Sequence, residues 1–261
     1  MKKEEQIRLF LERRIDFERR SQNDLDADEE TWDSEPEDEP GAHHRAFLSN
    51  SIEEFGLDVV LDGIGRFELT EPLCPPNDFH MLAVLLAERG RRDDARRAAD
   101  RMNELSFDER VDALVDIAYA TGAVEDVIYA ESEARTTEEP LEYAKALIYL
   151  APIAPRPVEY VDIARKLLSQ MFGDATEKLE ALVPHFIRLA TLTKLEADLL
   201  MVVRLLDHPV LQDSPGYAIF EGSIVHLKDA KLALRVAARV KNAEWRTKYQ
   251  RAINNRREDL N

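Results

Sequence analysis

The chain lacks several features that mark secreted, membrane and β-rich proteins. It has one cysteine, Cys74, in 261 residues, so no disulfide can form within it. Glycine is scarce, at nine residues, and β-rich runs are absent. No apolar run approaches the ~20 residues of a membrane-spanning helix, and the charged N-terminus is not a secretory signal. These absences favour an all-helical cytoplasmic protein that does not partner with membranes.

The motifs of common enzymes and cofactor sites are also missing. No P-loop, GxGxxG or GxSxG pattern occurs in the sequence. His43 and His44 are adjacent, but no HExxH pattern or cysteine accompanies them as further ligands. The sequence therefore predicts no catalytic residue, no cofactor and no metal site.

Positive charge is in short supply. The formal net charge is -17, which argues against direct binding of nucleic acid or anionic membranes, because both require a cationic surface. We therefore expect the partner to be another protein with a basic surface. The sequence leaves the oligomeric state open.

What is present is a recurring pair of residues. Ala113-Leu114 and Ala146-Leu147 are followed, three residues after each leucine, by Ile117-Ala118 and Leu150-Ala151, and a third pair, Ala181-Leu182, comes at a similar distance. Repeats of about 33–35 residues have the size of one helix-turn-helix unit. Gly90 and Gly122 are placed to end the first helices of two such units. The spacing predicts paired helices from residue 78 onward and a basic closing helix near the C-terminus.

The string LLAERGRRDDARRA, in which a small residue lets two helices approach closely, resembles the turn of a tetratricopeptide repeat. Over residues 78–258 the chain is similar in architecture to the tetratricopeptide-like and HEAT-like α-solenoids. The resemblance implies an all-α, right-handed α-solenoid of about five helical hairpins, with an N-terminal helix and an acidic linker. It also implies a curved stack whose first helices line a concave binding surface.

Residues 1–20 form the first predicted segment, an amphipathic helix. Its apolar stripe consists of Ile7, Phe10, Leu11, Ile15 and Phe17, and Arg14 interrupts it. An apolar stripe does not remain free in water. We therefore expect this helix to dock as a tethered, exchangeable element, and the sequence does not show whether it docks in the same molecule or in another.

Residues 21–45 form the second predicted segment, a disordered acidic linker. Its first 22 residues contain many carboxylates and no basic residue, so they cannot build a core. Trp32 within it is a possible docking anchor. Residues 46–261 form the third segment, a helical-repeat domain that opens with one short helix over residues 46–64, ended by Gly63 and Gly65.

The repeat register predicts an exposed stripe along the first helices. When Leu114, Ile117 and Ala118 are buried, Glu109 and its neighbours one and two turns on point the opposite way. Carboxylates recur at the first position of this stripe and tyrosines could serve as anchors, although a solvated face explains the same pattern. The candidate partner-binding residues are Glu109, Asp112, Asp116, Tyr119, Glu142, Lys145, Tyr149, Glu177 and Glu180.

Three functions fit these observations. The first is a non-enzymatic interaction protein or regulatory adaptor that binds a partner protein or peptide on the solenoid surface. The second is an acidic immunity or inhibitor protein that blocks a cationic, nucleic-acid-binding surface of its partner. The third is an enzyme on a helical-repeat scaffold, a class that the acidic balance and missing motifs disfavour.

Overall fold

The computed structural model describes residues 1–27, 42–70, 78–102, 107–174, 179–211 and 215–259. Within these ranges every regular element is a helix, so the predicted all-α class is confirmed. The chain divides within one helix into two compact units, Met1–Asp126 and Val127–Asn261. The N-terminal helix belongs to the first unit. The stacking of the hairpins into a solenoid stays a prediction.

The first unit consists of one long N-terminal helix followed by shorter helices. The helices are α1 (Lys3–Ala27), α2 (Ala42–Phe55), α3 (Leu57–Thr70), α4 (Asp78–Glu88), α5 (Arg92–Met102), α6 (Phe107–Thr121) and the start of α7 (Val124–Ala134).

The second unit continues α7 and adds three helical pairs and a closing helix. Prolines separate the helices of the first pair, as predicted, with a short 3-10 turn at Ala151–Ile153 between them. The remaining helices are α8 (Pro140–Leu150), α9 (Pro157–Asp174), α10 (Leu179–Thr193), α11 (Glu196–Leu206), α12 (Gly216–Val225), α13 (Ala230–Ala237) and α14 (Ala243–Asp259).

Four turns between paired helices share one backbone conformation. Gly56, Gly90 and Gly122 have φ values of 82°, 74° and 60°, and Lys194 has a φ of 55°. A residue with positive φ ends a helix, and glycine adopts this conformation without the steric penalty that a Cβ brings. The three glycines follow one another at about the hairpin length predicted from the sequence.

Successive helices pack as pairs within each unit. In the first unit α4 packs on α5, and the first helices α4 and α6 also pack on each other. In the second unit α8 pairs with α9 and α10 with α11, while α10 contacts both α8 and α12.

The predicted core register holds for two of the three Ala-Leu pairs. Ala113 and Leu114 are buried, and so are Ala146 and Leu147. In α10 Leu182 is buried but Ala181 is exposed. Val183, which follows Leu182, lies in the core instead. For the third pair the prediction was therefore right for Leu182 and wrong for Ala181.

The helix predicted over residues 46–64 is two helices, because Gly56 breaks it between α2 and α3. Gly63 and Gly65 do not end a helix but lie inside α3. Gly63 is the contact point for α1: a Cβ added there would lie 2.7 Å from Cε1 of Phe10. Its lack of a side chain lets the ring of Phe10 pack directly on the α3 backbone.

Both ends of the predicted linker are helical. The backbone of residues 21–27 continues α1, and residues 42–45 begin α2. Residues 28–41, with Trp32, lie outside the described part of the chain, as do Cys74 and Glu177.

Aromatic side chains hold the closing helix α14 in the second unit. The indole of Trp245 stacks on the ring of Tyr217 at 5.5 Å, with an angle of 7° between the planes. The buried Tyr249 hydroxyl donates a 2.6 Å hydrogen bond to the backbone oxygen of Tyr217. Phe220 meets Tyr249 edge to face. The basic closing helix is therefore part of the core of its unit.

Candidate functional site

The exposed face of α6 carries the first predicted stripe. Glu109, Asp116 and Tyr119 are exposed and Asp112 is half-buried, while the opposite face of the helix is buried. We call these four residues the α6 stripe. Their spacing of three and four residues aligns them along one side of the helix. Tyr119 exposes 40% of its surface.

The α6 stripe is tied to the neighbouring helix. Nε2 of His80 on α4 lies 2.8 Å from a carboxylate oxygen of Asp116. This contact joins two first helices on their exposed side. The buried face of α6 and the contact between His80 and Asp116 therefore both fix the position of the α6 stripe.

In the second unit the predicted stripe has mixed charge. The ammonium of Lys145 lies 3.3 Å from the carboxylate of Glu142, and both residues are half-buried. The Arg188 guanidinium lies 5.2 Å from the ring centroid of Tyr149, which is 39% exposed. Glu180 is exposed on α10, and Glu177 lies outside the described residues. Carboxylates and cations both lie along the described part of this stripe, so its charge is mixed.

The predicted N-terminal docking helix packs on its own unit. Ile7 and Phe10 are fully buried, and Leu11 and Phe17 are half-buried. Ile15 is 41% exposed and does not join them. The apolar stripe is therefore narrower than predicted, and the structure places it in the same molecule.

The residue that interrupts the stripe is the one that anchors it. Arg14 is 1% exposed, and its guanidinium donates to both carboxylate oxygens of Asp78 at 2.9 and 3.1 Å. Nε2 of His44 lies 2.8 Å from the same carboxylate. Burial alone would raise the pKa of Asp78, but hydrogen bonds from His44 and Arg14 outweigh it and hold that pKa below its ordinary value.

Aromatic rings surround this ion pair. The Arg14 guanidinium lies 5.1 Å from the ring centroid of Phe67 and within cation–π range of Phe17 and Phe47. A buried charge is costly unless it is paired and hydrogen-bonded, and Asp78 provides both the counter-charge and the acceptors for Nε and Nη2 of Arg14. Sequence reasoning missed this cluster because Arg14 and Asp78 are 64 residues apart in the chain.

Two Arg–Asp–Thr clusters recur at hairpin turns, one in each unit. In the first unit Asp126 accepts hydrogen bonds from Arg92 at 2.8 Å, from Thr121 at 2.7 Å and from Arg96. Burial would raise the pKa of Asp126, but these hydrogen bonds lower it below its usual value.

The second cluster has the same plan. Asp198 accepts from Arg165 at 2.7 and 2.9 Å and from Thr193 at 2.6 Å. In both clusters the threonine precedes the aspartate by five residues, with the positive-φ residue between them. This Thr-x4-Asp spacing is a signal that sequence reasoning could have used. The clusters are hairpin supports, because they join each turn to the preceding helical pair.

A tyrosine–carboxylate network lies in the second unit. The Tyr143 hydroxyl donates to the buried carboxylate of Glu131 at 2.8 Å, and Arg135 donates to the same oxygen at 2.6 Å. Burial, followed by the Glu131 charge, raises the pKa of the nearby Tyr160 hydroxyl. The hydrogen bond from Tyr143 to Glu131 joins α8 to α7.

A cleft of about 670 Å³ opens in the first unit beside the turn at Gly90. Its arginines are balanced by carboxylates: Arg91 pairs with Asp94 at 2.8 Å, and Arg92 and Arg96 pair with Asp126. Such a cleft has no excess charge to hold an anion.

The described residues form neither a membrane span nor a metal site. Among the described helices, none combines the length and apolar character that crossing a bilayer requires. Within the described ranges, no three His, Cys, Asp or Glu side chains are grouped closely enough to hold a metal ion. The α6 stripe is therefore the candidate functional site with the clearest geometry.

The comparisons with known proteins add no further guide to function. Neither a family model, a curated protein nor a solved structure matches this chain.

Proposed function

We propose that this chain is a non-enzymatic interaction protein or regulatory adaptor that binds a basic segment of a partner protein through the α6 stripe. The observation that carries the proposal is the α6 stripe itself, three carboxylates and an exposed tyrosine along one side of a helix whose other side is buried. The α-solenoid arrangement of the hairpins and a cytoplasmic location belong to the same proposal.

Rigidity supports this use of α6. A helix with a fully packed face does not have to be ordered on binding, so little conformational entropy is lost. Tyr119 supplies a large aromatic surface of the kind that contributes most at interfaces. The carboxylates supply long-range attraction, which accelerates the encounter with a basic partner.

The mixed stripe of the second unit is a separate candidate surface. Tyr149 and Arg188 present a cation–π pair, and Glu180 adds a carboxylate. Because its charges are largely balanced, this stripe fits a neutral or amphipathic stretch better than a basic one. The basic part of the partner is therefore assigned to the α6 stripe.

The test is differential capture of partners by three versions of the full chain. The first is the unaltered chain, and the second carries Glu109→Lys, Asp112→Lys and Tyr119→Ala. The third carries Glu53→Lys and Glu138→Lys, which alter exposed carboxylates outside the stripe. We expect proteins that the first and third versions capture and the second does not. Identical captures by all three would contradict the proposal.

The identity of the captured protein decides between the functions. A nuclease or other cationic nucleic-acid-binding protein would favour an acidic inhibitor, and a varied set of clients would favour an adaptor. No stripe-dependent partner, together with turnover of a small molecule, would favour an enzyme.

Electrostatic recognition has its own measurement. The association rate with a captured partner should fall as salt rises, because salt screens exposed charges. Charge reversal at Glu109 and Asp112 should slow association while leaving the free energy of unfolding nearly unchanged. An association rate that does not depend on salt would contradict electrostatic recognition of the partner.

A further inference from the structure

The C-terminal part of the second unit has the opposite charge to the rest of the chain. Residues 228–257 contain ten basic side chains and two acidic ones, in a chain whose net charge is -17. This segment includes α13 and α14, which pack on each other. Positive charge is therefore concentrated in one small part of an acidic protein.

Much of this charge is exposed and uncompensated. Lys231 and Arg235 lie one turn apart on the exposed face of α13, and Lys248 and Arg251 lie on the exposed face of α14. Arg235 pairs with Glu196 at 3.0 Å, and Lys248 pairs with Glu221 at 2.9 Å. The exposed cations that make no ion pair with any residue in the described part of the chain are Lys228, Lys231, Arg239, Lys241 and Arg251. We call these five residues the basic face.

The same chain contains a segment with matching charge. Residues 24–39 carry ten carboxylates and no basic side chain. Both flanks of this segment, α1 and α2, are held in the first unit, where α1 is anchored through Arg14 and Asp78. The acidic segment is thus attached at both ends to one unit, while the basic face belongs to the other.

We infer that the basic face binds the acidic segment, residues 24–39, of a second copy of this chain. Each copy carries one acidic segment and one basic face, so two copies make two equivalent contacts in a symmetric pair. The second contact is then intramolecular, which strengthens weak individual ion pairs. This inference does not depend on the α6 stripe.

The first test is carbodiimide cross-linking of the full chain, which joins lysine to carboxylate only where they touch. Equal amounts of unlabelled and ¹⁵N-labelled chain are mixed, so cross-links between copies appear as mixed-label pairs. We expect mixed-label cross-links from Lys231 and Lys241 to residues 24–39 at low salt, and their loss near 0.5 M salt, where charges more than a few ångströms apart are screened. Lys166 and Lys194, exposed in the same unit outside the basic face, serve as internal controls.

Three results of this experiment would overturn the inference. The first is cross-linking of Lys166 and Lys194 as often as Lys231 and Lys241. The second is cross-links confined to pairs with one label, which would place the contact within a single copy. The third is the absence of cross-links to residues 24–39.

Sedimentation velocity provides an independent test. The full chain at low salt should sediment as a dimer, and the variant Lys231→Glu, Lys241→Glu, Arg251→Glu should sediment as a monomer. The control variant Lys166→Glu, Lys194→Glu should behave as the unaltered chain. A parent that is monomeric and binds a 20-nucleotide single-stranded DNA through the same three residues would overturn the inference in favour of nucleic acid.

Discussion

The first and last helices of the chain perform the same task with different chemistry. α1 covers the core of the first unit with a buried ion pair, Arg14 to Asp78, set among phenylalanine rings. α14 covers the core of the second unit with a stacked Trp245 and a neutral hydrogen bond from Tyr249. Removing one member of a buried ion pair is costly, because the other charge stays buried without a partner. Removing one hydrogen bond from a neutral aromatic contact costs less. The two units should therefore respond differently to the same kind of damage.

The largest difference is expected when one member of the buried ion pair is neutralised. Asp78→Asn leaves the Arg14 guanidinium buried without a counter-charge, and such variants typically lose about 3–5 kcal/mol. Denaturant unfolding measures the change in free energy. Glu54→Gln, which breaks the exposed pair between Arg13 and Glu54 on neighbouring helices, is the control and should cost ~0–1 kcal/mol.

A double variant sharpens this result. Arg14→Met combined with Asp78→Asn should cost less than the two single changes together, because no lone charge remains buried. Additive costs, or an Asp78→Asn variant as stable as Glu54→Gln, would show that the ion pair does not anchor α1.

The second prediction compares a glycine in each unit. Gly63→Ala places a Cβ against the ring of Phe10, and overpacking of this kind costs about 1–3 kcal/mol. A Cβ added at Gly222 on α12 would have no atom within 4 Å, so Gly222→Ala should stabilise its helix by roughly 0.5–1 kcal/mol. Thermal unfolding of both variants checks the opposite signs. Equal effects would mean that α1 does not pack on α3 as described.

The third prediction concerns the neutral contact of α14. Tyr249→Phe removes the donor to the backbone oxygen of Tyr217, and a single hydrogen bond of this type contributes about 1 kcal/mol. Because no charge is involved, the loss should be the same at low and high salt. A salt-dependent loss, measured by denaturant unfolding, would contradict the neutral character of this contact.

The smallest effects near neutral pH should come from the titration of Asp78 and Tyr217. The stability that these two residues contribute changes in opposite directions with pH. The pKa of Asp78 is lowered in the folded unit, so the stability it contributes is present above its unfolded pKa and lost as pH falls through the folded value. Burial, with the Asp207 charge, raises the pKa of Tyr217 from 10.0 to about 12. Its contribution is present below the unfolded pKa and lost as pH rises from there toward the folded value.

Thermal unfolding at a series of pH values measures this asymmetry. Asp78→Asn should flatten the acidic arm of the stability profile, and Tyr217→Phe should flatten the alkaline arm. If either variant leaves its own arm unchanged, the assigned residue does not govern that arm.

Local sequence patterns were enough to predict part of the fold. The helical pairs and the turns at Gly90 and Gly122 follow from periodicity and from the backbone freedom of glycine, both of which act within a few residues. The exposed stripe on α6 follows from the same periodicity. These features were predictable because their physical causes are local.

The anchoring contacts were not predictable, because they join distant parts of the chain. Arg14 looked like a defect in an apolar stripe until Asp78 and His44 were placed beside it. Gly63 looked like a helix end, although it provides room for the ring of Phe10. In the second unit the contact between Arg188 and the ring of Tyr149 was not predictable from local sequence, because Arg188 comes from the next helical pair.

The measurement that tests the role of α1 most directly is deletion of residues 1–27, followed by hydrogen exchange across the chain. If α1 is part of the core of the first unit, its deletion should abolish exchange protection in α3 and α4 and leave α10 to α14 protected. If α3 and α4 keep their protection and the thermal unfolding temperature is unchanged, α1 is an exchangeable element and its anchoring role is contradicted.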